Sequence, residues 1–245
     1  MNFIKKIFIG NSIEKLNRKP KSAFEAQQEN VQKVWDSKNY EDFGIERLLR
    51  LFLVCIQFLF PGLYIRYFSG KRNTLTRKIC NEIYVTTKIL LYILALFVLP
   101  KFSWFCYIAI YLMAETFCYL LGLIFLETEY KKPASYKRNL LMAIINYMEV
   151  TLGFATIYYC ALSDSIKSLH TSIDAIYFSF ITATTIGYGE MYPLDGVSKF
   201  VCTSQSIVSF LFAVIIISIF LSNLNKNGFL NDDRNEREKK GGVAR

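Results

Sequence analysis

The chain has 245 residues, of which 53% are hydrophobic, and its formal net charge is +9. The basic residues fall in short clusters between apolar runs, without a basic stripe or binding motif, which argues against a nucleic-acid-binding protein. The apolar runs reach about 20 residues, long enough to cross a ~30 Å hydrocarbon core as helices, and they predict a multi-pass helical protein of the cell membrane.

The amino-terminal part of the chain divides into a polar segment and a short apolar run. Residues 1–47 are mixed in charge, and we expect a cytoplasmic segment with a helix over residues 22–38. The run Leu51–Ile65 follows and is interrupted by Pro61-Gly62. If this run spans the bilayer, the amino terminus is outside, and if it lies in the interface or enters only partway, the amino terminus is cytoplasmic. The short length and the break favour an interfacial or half-spanning helix, and both arrangements stay open.

Two longer runs, Ile83–Leu99 and Phe102–Leu126, complete a group of membrane helices predicted within residues 48–139. Basic loops prefer the cytoplasmic side of a membrane. The loops at 66–78 and 131–138 are both basic. We therefore expect the two runs to form an antiparallel hairpin whose turn lies outside the cell.

Each run of the hairpin contains a charged residue well inside it, Lys88 in the first and Glu115 in the second. Both lie at a similar distance from the turn at Pro100-Lys101, which places them about 20 Å below the outer end at a rise of ~1.5 Å per residue. An unpaired charge at that depth costs at least ~2.5 kcal/mol, so we predict a buried ion pair. Two alternatives stay open: Glu149 of a later run is the partner, or Lys88 extends to the inner interface while Glu115 is protonated.

The last two runs, Leu140–Leu162 and Phe200–Leu224, flank a more polar stretch that contains Thr184-Thr185-Ile186-Gly187-Tyr188-Gly189-Glu190. A span, a short helix, a Gly-Tyr-Gly turn and another span, in this order, resemble the pore domain of potassium channels over residues 140–225. The resemblance implies an all-α integral membrane fold. An outer helix, a pore helix over 174–184, a selectivity filter and an inner helix would follow the hairpin and the interfacial or half-spanning helix.

The resemblance assigns ion binding to the filter, which comprises Thr185, Ile186, Gly187, Tyr188 and Gly189. Rings of backbone carbonyls replace the water around a dehydrated potassium ion, and glycine tolerates the unusual dihedral angles that such a strand needs. One chain carries one filter and a ring needs four, so the family pattern implies a homotetramer in a lipid bilayer. Potassium is then the permeant ion, and no other cofactor is expected.

Several residues around the filter occupy positions that support it in the family: Tyr177, Phe178, Thr184 and Glu190. The two aromatic residues are expected to pack around the filter tyrosine, although ordinary apolar packing predicts much the same arrangement. Glu190 stands where the family usually has aspartate. Ile181 stands where some members have a glutamate paired with that acid, so such a pair cannot form here.

The sequence contains no recognisable gating module. The inner run has no glycine, the residue at which many members of the family bend, and Ser206 and Ser209 are the candidates for a bend. No span has the regularly spaced Arg or Lys of a voltage sensor. The charged tail over residues 226–245 is too short for a folded ligand-binding domain.

The predicted function is that of a potassium-selective channel subunit, which conducts potassium down its electrochemical gradient. A poorly selective cation channel is one alternative, and the complete string Thr185–Gly189 argues against it. A non-conducting membrane regulatory subunit is the other alternative. An enzyme is not expected, because the sole histidine, His170, has no recognisable catalytic motif around it.

Overall fold

The computed structural model describes residues 22–36, 44–71, 74–98, 104–126 and 136–226. Within these ranges all regular secondary structure is helical, and the predicted all-α fold is confirmed. The chain divides into two compact units, Met1–Lys131 and Lys132–Arg245. The predicted turn at Pro100-Lys101 and nearly all of the tail over 226–245 lie outside the described residues.

The described part of the first unit contains α1 (Ala23–Trp35), α2 (Ile45–Ile56), α3 (Pro61–Gly70), α4 (Thr74–Phe97) and α5 (Trp104–Phe125). Its buried apolar core joins α1, α2 and α5 through Val34, Leu53, Val54, Phe60, Cys118 and Leu126. The amide of Gln27 on α1 donates to the backbone oxygen of Val54 over 2.8 Å. The polar helix α1 is therefore packed against the membrane helices.

The chain bends by 67° between α2, which continues as a 3₁₀ turn to Leu59, and α3. Phe60 is extended there, with φ −95° and ψ 141°. A proline disfavours the helical conformation at the residue before it, and Pro61 itself suits the first turn of the next helix. The expected break at Pro61-Gly62 is confirmed. The pair is apolar enough to be one broken span or a re-entrant loop, so both arrangements of this segment stay open.

The described part of the second unit contains α6 (Tyr136–Ala161), α7 (Ser172–Ala183) and α8 (Gly196–Lys226). The short helix α7 packs against both α6 and α8. Besides the bent pair, α4, α5, α6 and α8 are each long and apolar enough to cross a membrane. This is the order of outer helix, short helix and inner helix that the sequence predicts.

Candidate ion-conduction site

The short helix α7 begins at a capping box. Thr171 accepts a hydrogen bond from the N–H of Asp174 over 3.1 Å, and the Asp174 carboxylate accepts the N–H groups of Thr171 and His170 over 2.8 and 3.1 Å. These bonds, that to Thr171 above all, lower the pKa of Asp174. A carboxylate at this end also complements the positive helix terminus. The start of the helix is thus fixed in place.

The strand after α7 has a backbone whose φ angle alternates in sign. Thr185, Gly187 and Gly189 have φ values of 59°, 53° and 87°. The residues between them, Ile186 and Tyr188, are not in the positive-φ region. Glycine accepts positive φ readily, whereas threonine does so rarely. The sequence accounts for the two glycines, and nothing in it indicated the same conformation at Thr185.

The carboxyl end of α7 holds the beginning of this strand. The carbonyl of Ile181 accepts hydrogen bonds from the N–H groups of Ile186 over 3.0 Å and Gly187 over 3.3 Å. The hydroxyl of Thr184 donates to the carbonyl of Phe180 over 2.7 Å. The last carbonyls of a helix have no partner within the helix. Here they accept hydrogen bonds from the segment that follows, which fixes the backbone of the predicted filter to α7.

The two aromatic residues on α7 that were predicted to support the filter, Tyr177 and Phe178, make different contacts. The Tyr177 hydroxyl donates a hydrogen bond to the carboxylate of Glu190, directly after the filter. This bond raises the pKa of Tyr177 to about 12, because the neutral hydroxyl is the donor. The ring of Phe178 is buried and packs edge-on against Tyr158 of α6, with 5.0 Å between ring centres. The glutamate in place of aspartate still reaches α7.

Asp195 fixes the start of α8 at the same end of the unit. Its carboxylate accepts the N–H of Ser198 over 2.7 Å and the hydroxyl of Ser165 over 2.7 Å. The hydrogen bond with the Ser198 side chain, followed by those with the Ser198 N–H and the Ser165 hydroxyl, lowers the pKa of Asp195 to about 2. The segment after α6 also meets the segment before α8 in one bridge, between Ile166 and Pro193. The two segments that flank α7 and the filter are therefore joined.

A buried polar network ties the three helices of this unit together. The Gln205 amide on α8 donates to the backbone and side-chain oxygens of Ser179 on α7, over 2.9 and 2.8 Å. Gln205 accepts the hydroxyl of Tyr158 over 2.6 Å, and Ser179 donates to the carbonyl of Thr151 over 2.7 Å. Sequence reasoning missed this network. A glutamine and a serine inside apolar segments were the available signal.

Comparison with known proteins bears on the same region. A family model described as an ion channel matches residues 146–226. The potassium voltage-gated channel subfamily A member 6 of Mus musculus is 36% identical over 73 residues, which are 29% of this chain and 14% of that protein. The two-pore potassium channel 2 of Arabidopsis thaliana is 30% identical over 107 residues, 42% of this chain and 24% of that protein. No solved structure matches the chain.

The match to the ion-channel family covers most of α6, all of α7 and α8, and the predicted filter. The resemblance to the pore domains of potassium channels is confirmed by these matches. The chain is a multi-pass membrane protein, and it spans about a quarter or less of the length of these relatives. In the predicted pore domain, α6 takes the place of the outer helix, α7 that of the pore helix and α8 that of the inner helix.

The inner helix of the pore domain is continuous through the two serines at which a bend was predicted. The hydroxyl of Ser206 donates to the carbonyl of Cys202 over 3.1 Å, one turn earlier, a bond that is known to favour bending of helices. Ser209 is buried. A bend at Ser206 or Ser209 stays a prediction about another state of the channel.

The predicted partners Lys88 and Glu115 lie together in the first unit, outside the pore domain. Lys88 Nζ is 3.9 Å from Glu115 Oε2 and 2.6 Å from the hydroxyl of Thr116. Both charged residues are buried. Glu149, the competing partner, belongs to the outer helix of the second unit and is fully buried there.

Proposed function

We propose that four copies of this chain assemble into a potassium-selective channel. The observation that carries the proposal is the alternation of φ along Thr185–Gly189. In a regular strand successive residues point to opposite sides. Where the sign of φ alternates, successive peptide carbonyls point to the same side. The carbonyls of such a strand can line one side of the chain, as a carbonyl-lined filter requires.

The proposed mechanism uses main-chain oxygens. The carbonyls of Thr185, Ile186, Gly187 and Tyr188 from four subunits would form successive rings, and the Thr185 hydroxyl would supply the innermost oxygens. These oxygens replace the hydration shell of potassium as it enters the filter. The hydrogen bonds that the Ile181 carbonyl accepts from Ile186 and Gly187 hold the strand in place, so the rings are formed before an ion arrives. The negative end of the pore helix also favours a cation.

The proposed tetramer is supported by large apolar side chains that a single chain leaves exposed. Ile186 and Tyr188, the two filter side chains between the positive-φ residues, are 55% and 69% exposed. The inner helix likewise exposes large apolar residues over much of its length: Phe200, Ile207, Phe210, Val214 and Ile217. Neighbouring copies around a central axis would cover these side chains and complete each carbonyl ring.

Bilayer recording of the purified chain with ion substitution tests the proposal. We expect current whose reversal potential follows the potassium gradient and ignores the sodium gradient. A current that follows both gradients would instead support the poorly selective cation channel. Absence of current from correctly assembled protein would support the non-conducting regulatory subunit. Mass measurement of the detergent-solubilised particle tests the number of subunits separately.

A further inference from the structure

The segment that joins α3 to the first turn of α4 is strongly basic. Between positions 66 and 78 the chain has five basic residues and no Asp or Glu; they are Arg66, Lys71, Arg72, Arg77 and Lys78. The apolar span of α4 begins at Thr76. The basic segment therefore lies at one end of the membrane helices, and its charge predicts that this end is cytoplasmic.

Arg66 is built into the packing of the first unit and does not extend freely from the surface. It is partly buried. Its Nε donates to the carbonyl of Gly62 over 3.1 Å, and its guanidinium lies 5.4 Å from the ring centre of Tyr119 on α5. These two contacts hold the charged group against α5.

Arg77 lies on α4, which packs against α3, the helix that carries Arg66, and the two like charges repel each other. Arg77 is also partly buried. Neither guanidinium forms an ion pair with a carboxylate of the described residues. Two like charges that are partly removed from water destabilise a site unless an anion neutralises them. The arrangement therefore fits an anionic group that neutralises both side chains.

We propose that Arg66 and Arg77 bind the phosphate of an anionic phospholipid from the cytoplasmic leaflet. Guanidinium groups bind phosphate oxygens through paired hydrogen bonds. The level in the membrane is that of lipid headgroups, since Arg77 is the second residue of the α4 span and Tyr119 lies three residues before the end of the α5 span at Gly122. Tyrosine rings are enriched at this level.

Lys71 provides a matched control within the same segment. It is exposed, and its Nζ lies 4.9 and 5.5 Å from the ring centres of Tyr67 and Phe68 on its own helix. Lys71→Gln removes one positive charge, as Arg66→Gln and Arg77→Gln do. General attraction between a basic segment and an anionic membrane predicts a similar loss for all three variants. A built phosphate site predicts a loss for the arginine variants alone.

The experiment titrates the purified full-length chain with phosphatidic acid, with phosphatidylcholine as the neutral reference, and counts bound lipids by native mass spectrometry. We expect phosphatidic acid to bind in preference to phosphatidylcholine. Arg66→Gln and Arg77→Gln should each weaken that binding about tenfold, and Lys71→Gln by about twofold or less. Equal weakening by Lys71→Gln, or no preference for phosphatidic acid, would overturn the proposal.

Two further measurements distinguish recognition of a lipid from a folding defect and from binding of free phosphate. The double variant Arg66→Lys with Arg77→Lys keeps both charges and removes the planar forks, so it tests the site even where a glutamine variant fails to fold. We expect weaker binding, and unchanged binding would overturn a guanidinium site. Displacement of phosphatidic acid by inorganic phosphate alone would overturn the assignment to a lipid, because it would show that the site recognises free phosphate.

Discussion

The backbone N–H of Gly62 donates a hydrogen bond of 2.8 Å to the carboxylate of Glu115, although 53 residues separate the two along the chain. Gly62 is the second residue of α3, and the first N–H groups of a helix have no partner within it. The same carboxylate accepts the hydroxyl of Tyr84 and lies 3.9 Å from Lys88 Nζ. The Glu115 side chain of α5 thereby fixes the start of α3, which follows the 67° bend, and connects it to α4.

The close approach of Glu115 leaves no room for a Cβ at position 62 unless the carboxylate moves. A Cβ added to Gly62 would lie 2.5 Å from Glu115 Oε1. Gly62→Ala should therefore displace the carboxylate and lower the thermal stability of the detergent-solubilised protein, by about 1–3 kcal/mol. Gly196→Ala is the matched control, because a Cβ there meets no atom within 4 Å. Equal melting temperatures for both variants would contradict the role of Glu115 as a cap.

The second prediction concerns the opposite charges of Lys88 and Glu115 in the cluster formed by Gly62, Tyr84, Lys88 and Glu115. Glu115→Gln keeps an oxygen that can accept the Gly62 N–H but leaves Lys88 without its carboxylate, and removal of one partner from a buried pair costs about 3 kcal/mol or more. Combining it with Lys88→Met should recover much of the stability. Lys88→Met with Glu115→Met should recover less, since Gly62 and Tyr84 would then lose their acceptor. Thermal unfolding and the yield of assembled channel measure both effects. Equal recovery by the two double variants would show that only the charges matter.

The sequence predicted that Lys88 and Glu115 lie near each other, but only part of the chemistry around them. The depth of Lys88 and Glu115 follows from counting residues from a turn, because the helical rise is constant. The contact with Gly62 depends on the direction in which the chain leaves the bend at Pro61. That direction is set by packing between helices distant in sequence. The hydrophobic pattern of the first apolar run contains no information about it.

Gly187→Ala should abolish potassium selectivity. Its φ of 53° is unfavourable for alanine, at a cost of about 1–2 kcal/mol per chain, and a tetramer would bear that cost four times. Among the described residues, apart from the two neighbours in sequence, no atom lies within 4 Å of a Cβ at this position, so the backbone angle opposes the change. Reversal potentials in opposing sodium and potassium gradients measure the result. Gly196→Ala, outside the filter, should conduct normally, and unchanged selectivity in Gly187→Ala would refute the assignment.

The network around Gln205 predicts coupling between the inner helix and the pore helix. Gln205→Leu removes the acceptor of Tyr158 and two hydrogen bonds to Ser179, whereas Tyr158→Phe removes one bond. Gln205→Leu should destabilise the assembled channel more. The double variant should cost less than the sum of the two, with a coupling of about 0.6–1.7 kcal/mol. Thermal unfolding of all four proteins gives the coupling. Strict additivity would show that the two residues act independently.

In the pore domain the sequence predicted more, because its pattern is local. The apolar runs on each side of the string Thr184–Glu190 located both long helices, and the string itself predicts the filter. The partners of Gln205 were not predictable, since they depend on which faces of three helices meet. The positive φ of Thr185 was not predictable either, because threonine has no preference for it. That conformation is imposed by the hydrogen bonds between the strand and the end of α7.

Two variants can distinguish the effect of the Glu190 charge from the effect of its hydrogen bond to Tyr177. Tyr177→Phe removes the hydrogen bond and keeps the carboxylate, whereas Glu190→Gln keeps an acceptor oxygen and removes the charge. The pKa of Tyr177, raised to about 12, means that the contact is fully present below the ordinary tyrosine pKa of about 10 and is lost as the pH rises through about 12. Recordings at neutral pH therefore compare the variants with a channel in which the bond is intact.

Glu190→Gln should lower potassium conductance mainly at low ionic strength. A carboxylate at the mouth raises the local concentration of cations, and salt screens this effect over about 10 Å at about 0.1 M. Tyr177→Phe should leave conductance at low salt nearly unchanged, and should instead shorten the time for which current is sustained, because the segment after the filter loses its bond to the pore helix. Single-channel conductance from about 10 mM to 1 M potassium chloride, with the decay of current during prolonged opening, distinguishes the two. An equal loss of conductance at every salt concentration in Glu190→Gln would contradict cation attraction by the carboxylate, because salt should screen that attraction.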